Sequence, residues 1–108
     1  MNTKQTQHRW GAQLSQFSRE NLGRTTRLGV FEPGDRGTVD YWLEDGLPLR
    51  EVVCEENNGA RFVEIILDGF THSIGNAMRL EFLFGTEKPD DGLNVVDADG
   101  RTTILRFE

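Results

Sequence analysis

Apolar and polar residues follow two rhythms along this chain, and the rhythm changes near Gly23. Before that point Trp10, Leu14, Phe17 and Leu22 recur at i, i+4, i+7 and i+12, roughly one face of a helix. Gln13, Gln16, Arg19 and Glu20 fall largely on the other side. Gly23 follows the last apolar residue, where a helix C-cap needs positive φ. The pattern predicts one amphipathic helix from Arg9, about three and a half turns long, behind a flexible polar tail over residues 1–8.

After Gly23 the period becomes two. Thr26, Leu28 and Val30 share one strand face, with Arg27 and Gly29 on the other, and Pro33-Gly34 ends the run. Val39, Tyr41 and Leu43 alternate with Asp40, Trp42 and Glu44 in a second strand. Asp45-Gly46 then reads as a reversal into a third strand, Leu47-Pro48-Leu49 through Val52, Val53 and Cys54. Asn57-Asn58-Gly59 closes a hairpin to Phe62–Leu67, which is apolar apart from Glu64 and reads as a central, fully covered strand. Met78–Phe84 places Leu80, Phe82 and Phe84 opposite Arg79, Glu81 and Leu83. Gly85–Gly92 is a polar loop expected to be mobile, and Leu93–Val96 and Thr102–Phe107 flank a last turn at Asp97-Ala98-Asp99-Gly100. Asp-Gly and Asn-Gly pairs mark these reversals because Asp and Asn tolerate left-handed backbone and Gly adopts it freely. The fold class expected is α+β, mainly β. The amphipathic helix packs on a strongly bent antiparallel sheet or small barrel of about six to seven strands, residues 9–108 forming one domain.

Composition narrows the chemistry. With 36% apolar residues the chain supports one small core. No apolar run approaches the roughly 18 residues of a membrane span, and the polar start MNTKQTQHRW does not read as a secretory signal. One cysteine allows no internal disulfide and fits a reducing compartment, so a cytoplasmic location is expected. A net charge of −6, from 18 acids against 12 Lys and Arg, disfavours nucleic acid and anionic membrane as partners.

Few residue constellations suggest a reaction. Cys54 lies between Val52-Val53 and Glu55-Glu56, surroundings that raise a thiol pKa and keep it inert. His72-Ser73 lacks the G-x-S-x-G setting of a nucleophile elbow, and His72 is expected at a strand–loop junction, lining a ligand or subunit contact if it is functional. The stretch Asp97–Gly100 superficially suggests a calcium loop, but Arg101 and Thr102 stand where an oxygen ligand and Gly are required, so a hairpin turn is expected. Glu87, Asp90 and Asp91 read as a solvated charge cluster without a transition-metal ligand set. Tyr41 and Trp42 are neighbours in a strand and face opposite sides. With Tyr41 buried beside Val39 and Leu43, Trp42 is left among Asp40 and Glu44, covered by the helix or anchoring a partner.

Two resemblances rest on particular residues. The opening W-x3-L-x2-F-S from Trp10, the L-P-L at Leu47–Leu49, the T-H-S-I at Thr71–Ile74 and the ending Asp99–Phe107 (DGRTTILRF) resemble a bacterial family of similar length, catalogued only as a domain of unknown function. That likeness brings no activity with it. The order of helix, strand, bent strand pair and a strand leading into His72-Ser73-Ile74 is similar to Sm-like proteins such as Hfq, whose Tyr-Lys-His stretch helps to bind RNA and assemble the ring. Here Phe70 and Thr71 stand where Tyr and Lys would, so the phosphate-binding base is missing. The resemblance implies a barrel topology and does not carry RNA binding with it.

The function expected from the residues is a non-catalytic association module, either self-assembling as a homo-oligomer or binding another protein. It needs no cofactor or metal, and its candidate binding residues are His72 and Trp42. Two alternatives stand beside it. One is an Sm-like single-stranded nucleic-acid binder, in which Arg50, Arg61, Arg79 and His72 converge. The other is a small-ligand protein or hydrolase built on His72 and Cys54.

Overall fold

A computed structural model describes residues 3–34, 37–83 and 92–108. Phe84, most of the expected polar loop and the acids Glu87, Asp90 and Asp91 lie outside the described residues. Helix α1 (Thr3–Asn21) precedes strands β1 (Thr25–Gly34), β2 (Gly37–Asn57), β3 (Ala60–Leu67), β4 (Phe70–Ile74), β5 (Ala77–Leu83), β6 (Gly92–Asp97) and β7 (Thr102–Phe107). All pairings are antiparallel, in the order β4-β3-β2-β1-β7-β6-β5. The expected α+β architecture is what the chain adopts: an N-terminal helix on a strongly curled sheet.

α1 buries the stripe that its spacing announces. Trp10, Leu14 and Phe17 enter the core, and the Phe17 ring packs at 5.6 Å from Phe82 and 5.8 Å from Phe107. Leu22, expected to continue this face, is instead 62% exposed. The helix has ended by then, and Gly23 turns the chain away at φ 84°. Its N–H donates to the Leu49 carbonyl at 2.8 Å, so the cap already touches the sheet.

The largest departure from the pattern lies at Asp45-Gly46. No reversal occurs there, and the second and third expected strands are one strand, β2, of 21 residues. Gly46 adopts φ 101°, but Thr26 pairs with Leu47 and Arg27 with Asp45, which leaves Gly46 as the extra residue of a β-bulge. A bulge bends a strand and adds twist. Here it marks where β2 changes neighbours, from β1 along its first half to β3 along its second. The buried Thr26 hydroxyl donates to the Leu47 carbonyl at 2.7 Å and satisfies a group beside the irregularity.

Past the bulge, β2 loses β1 and needs other partners for its backbone. Leu49 donates to the Arg24 carbonyl at 2.9 Å and accepts from Gly23. Three residues on, Val52 N–H donates to the buried Ser18 hydroxyl at 2.8 Å. That hydroxyl lies 2.7 Å from the Leu14 carbonyl and 3.2 Å from the Val52 carbonyl, with one proton to give. The helix therefore seals the edge that β1 abandons.

β3 differs from expectation as well. It is not fully covered: Val63, Ile65 and Leu67 are buried while Phe62, Glu64 and Ile66 are half-buried. Its outer face, which carries Phe62, Glu64 and Ile66, is therefore only partly covered. The turn at Asn58-Gly59 has both residues at positive φ, as a two-residue hairpin requires. Thr71–Ile74 belongs to a strand of its own, β4, so His72 lies inside a strand and not at its end.

Replacing Ser18 by Ala removes the side-chain acceptor of the buried Val52 N–H. A loss of about 1–3 kcal/mol in unfolding free energy is expected, measured by urea denaturation. A change within 0.5 kcal/mol, the range of an ordinary surface substitution, would show that the seal does not matter.

Candidate functional site

The bent β2 holds the β1–β2 pair at an angle to the β2–β3–β4 half, and an open cleft of about 100 Å³ lies between them. Val30, Tyr41 and Leu43 form one wall, His72 to Gly75 another, and Asp97, Arg101 and Thr103 complete it from the β6–β7 hairpin. His72 reaches the cleft because it pairs with Ile65, a fully buried residue, and opposite residues of antiparallel strands share a face.

Asp97 organises the last turn. One carboxylate oxygen, Oδ1, accepts the N–H groups of Asp99 at 2.9 Å and Arg101 at 3.0 Å, and Gly100 takes φ 86°. The hairpin expected in place of a calcium loop is therefore present. Arg101 leaves this turn toward Glu32 on β1, with Nη2 3.3 Å from Oε1. The Tyr41 hydroxyl donates to the other Glu32 oxygen at 2.7 Å. Tyr41 and Arg101 together hold the Glu32 carboxyl below its ordinary pKa, the tyrosine hydrogen bond being the larger cause. Burial, and after it the charge of Arg101, lower the His72 pKa from its ordinary 6.5.

The candidate residues divide. His72 lines the cleft. Trp42 lies elsewhere, its six-membered ring so close on Gly29 that a Cβ there would come within 2.6 Å of Cε3. The Arg27 guanidinium stacks 4.0 Å from the Trp42 ring centroid. The cover of Trp42 thus comes from β1, and 44% of the residue stays exposed. Tyr41, expected to be buried, is 43% exposed at the cleft.

Cys54 and His72 are not brought together. Cys54 pairs with Val63 and thence Ile74, whereas His72 shares a row with Ile65 and Val52, two strands and two residues away. That offset is roughly 12 Å by strand spacing and rise. Burial raises the Cys54 pKa, with smaller contributions from Glu56 and Glu55 against the lowering charge of Arg61. The four bases of the nucleic-acid alternative do not converge either. Arg50 lies 3.5 Å from Asp68, Arg61 is over Trp10 at 4.6 Å, and Arg79 is paired with Glu81 at 2.8 Å.

Sequence reasoning missed Glu32, Tyr41, Asp97 and Arg101 as a group. The Asp-x-x-Gly turn was legible, but its approach to β1 and β4 is a long-range consequence of the bend in β2. No known family, curated protein or solved structure matches this chain. No helix among the described residues is long and apolar enough to cross a membrane.

The His72 shift has a sign that can be checked. A histidine whose folded pKa lies below its unfolded value takes up a proton more readily when the chain unfolds. Its contribution therefore makes stability fall as pH drops below about 6.5 toward the folded pKa. The Glu32 contribution is lost only lower, as pH falls through the region below 4.5. Urea midpoints between pH 7 and 5 should decline in the wild type and decline less in His72→Gln. Equal slopes would show that His72 is not held neutral.

Proposed function

We propose that this chain is a non-catalytic association module that assembles with copies of itself through the free edges of its sheet. One observation carries the reading: β4 and β5 end the sheet, each hydrogen-bonded to a strand on one side only. Alternate N–H and C=O groups of such a strand point outward and pair readily with another chain. The edge of β2 is sealed by Ser18, whereas no backbone bond from a turn or cap reaches residues 70–74 among the described residues. β4 also carries no lysine, proline or bulge to discourage pairing. At the other end, Met78 of β5 is 63% exposed.

Two different edges on one chain favour head-to-tail pairing, β4 of one copy on β5 of the next, which closes into a ring if the rotation allows. The separation of Cys54 from His72 supports a role in binding over one in nucleophilic catalysis. Sedimentation velocity tests the proposal. The wild type at tens of micromolar should sediment above the 12.3 kDa of one chain. Thr71→Lys with Met78→Lys, both at exposed positions of the two edges, should return it to a monomer. A wild type that stays monomeric would overturn the proposal.

A further inference from the structure

A second cleft, of about 340 Å³, opens where three connections meet: Gly59 after β2, Asn76 between β4 and β5, and Ala98 between β6 and β7. The Ala98 N–H donates to the Asn76 carbonyl at 3.0 Å, so two of these connections are tied together. Arg61 of β3 lines the cleft, and Met78 of β5 gives it an exposed apolar rim. Among the described residues no acid lines it, and Arg61 is its one charged group.

Arg61 differs from the arginines buried to the same degree. Arg24, Arg27, Arg61 and Arg106 are half-buried among the described residues. Arg24 donates to the Asn21 side chain at 2.7 Å, Arg27 lies 3.5 Å from the Asp45 carboxylate, and Arg106 donates to the Asn94 side chain at 3.0 Å. Arg61 has no hydrogen bond or ion pair among the described residues. Glu56 lies opposite it in register, and the two form no ion pair. What holds Arg61 is Trp10, a core residue only 8% exposed, whose ring centroid lies 4.6 Å from the guanidinium carbon. A guanidinium carries five N–H donors in one plane. An aromatic ring over its face fixes the group and leaves those in-plane donors unspent. The cation is therefore placed before any ligand arrives, which lowers the ordering cost of binding.

We infer that this cleft receives a single carboxylate, paired through both oxygens with the guanidinium of Arg61 and met by the Asn76 carboxamide. Two parallel N–H donors match the two oxygens of a carboxylate. Asn76 holds φ 53°, a conformation that Asn adopts more readily than most residues, and its amide adds a neutral donor. Phosphate is the poorer occupant. It carries up to about two negative charges near neutral pH, against one guanidinium with Glu56 on the neighbouring strand. The carboxylate can belong to a free small acid or to an acidic side chain of another polypeptide. The inference goes beyond self-assembly and does not need it, although Met78 belongs to the edge strand β5.

NMR titration of the full chain tests the site. The probes are sodium acetate, the blocked tripeptide acetyl-Ala-Glu-Ala-amide and sodium phosphate, with sodium chloride at matched ionic strength as the control. Acetate or the tripeptide should shift the amides of Arg61, Asn76 and Ala98 and the Trp10 indole N–H in a saturable way. Saturation by acetate assigns a free small acid; saturation by the tripeptide alone assigns a side chain, and either supports the site. Arg61→Gln should weaken binding at least tenfold, and Arg61→Lys, which keeps the charge and loses the fork, severalfold. Should Arg61→Gln fail to fold, Asn76→Gly, which accepts the same φ and removes only the carboxamide, should weaken binding severalfold. The titration is repeated in Thr71→Lys, which blocks the β4 edge and leaves the lining residues unchanged; equal affinity is expected there, whatever the assembly state. Equal shifts with chloride, tighter binding of phosphate than of either carboxylate, or no saturable shift with either carboxylate would overturn the inference. So would undiminished binding in a folded Arg61→Gln, or in Asn76→Gly in its place, or loss of binding in Thr71→Lys.

Discussion

The structure depends on one strand having two sets of neighbours. β2 spends its first half against β1 and its second against β3, and every backbone group along 21 residues must be satisfied across that exchange. Gly46 supplies the bend at positive φ, a conformation an L side chain adopts only with strain. Thr26 satisfies the Leu47 carbonyl, the helix cap serves Leu49, and Ser18 serves Val52. The segment from α1 into β1 therefore runs beside β2 as its continuous second partner.

The interior, the cleft and the free edges follow from that bend. Curling the sheet brings Leu14 and Phe17 of α1 among Leu28, Val52, Ile65, Leu93 and Leu105, all from different strands. The same curl separates the β1–β2 pair from β4 enough to leave the cleft where His72, Tyr41, Asp97 and Arg101 meet. It also stops short of pairing β4 with β5, so the sheet keeps two free edges. The cleft and the two free edges thus have one architectural origin.

How much of this was legible depended on whether a signal was local. The helical face of Trp10, Leu14 and Phe17, the cap at Gly23 and the terminal hairpin each rest on neighbours within a few residues, and each is present. Asp45-Gly46 fits a reversal as well as a bulge, because a tight turn and a bulge make the same demand on a glycine, positive φ. Only pairing with Thr26 and Arg27, some twenty residues upstream, separates the two outcomes. β4 alternates as a strand should, Phe70, His72 and Ile74 on one face and Thr71 and Ser73 on the other, but its five residues and the polar His72 on the inner face make a weak signal. His72 itself was visible as a candidate, but its company was not, since Arg101 and Tyr41 reach it only through the curvature of the sheet.

The central claim is that the chain passes through Asp45-Gly46 without reversing. Cross-strand proton–proton contacts measured by NMR test it most directly. Contacts of Thr26 with Leu47 and of Arg27 with Asp45, with Gly46 unpaired between them, are the expected result. Contacts between Glu44 and Leu47, as a two-residue hairpin loop would give, would contradict it and dissolve the seal, the cleft and the edges together.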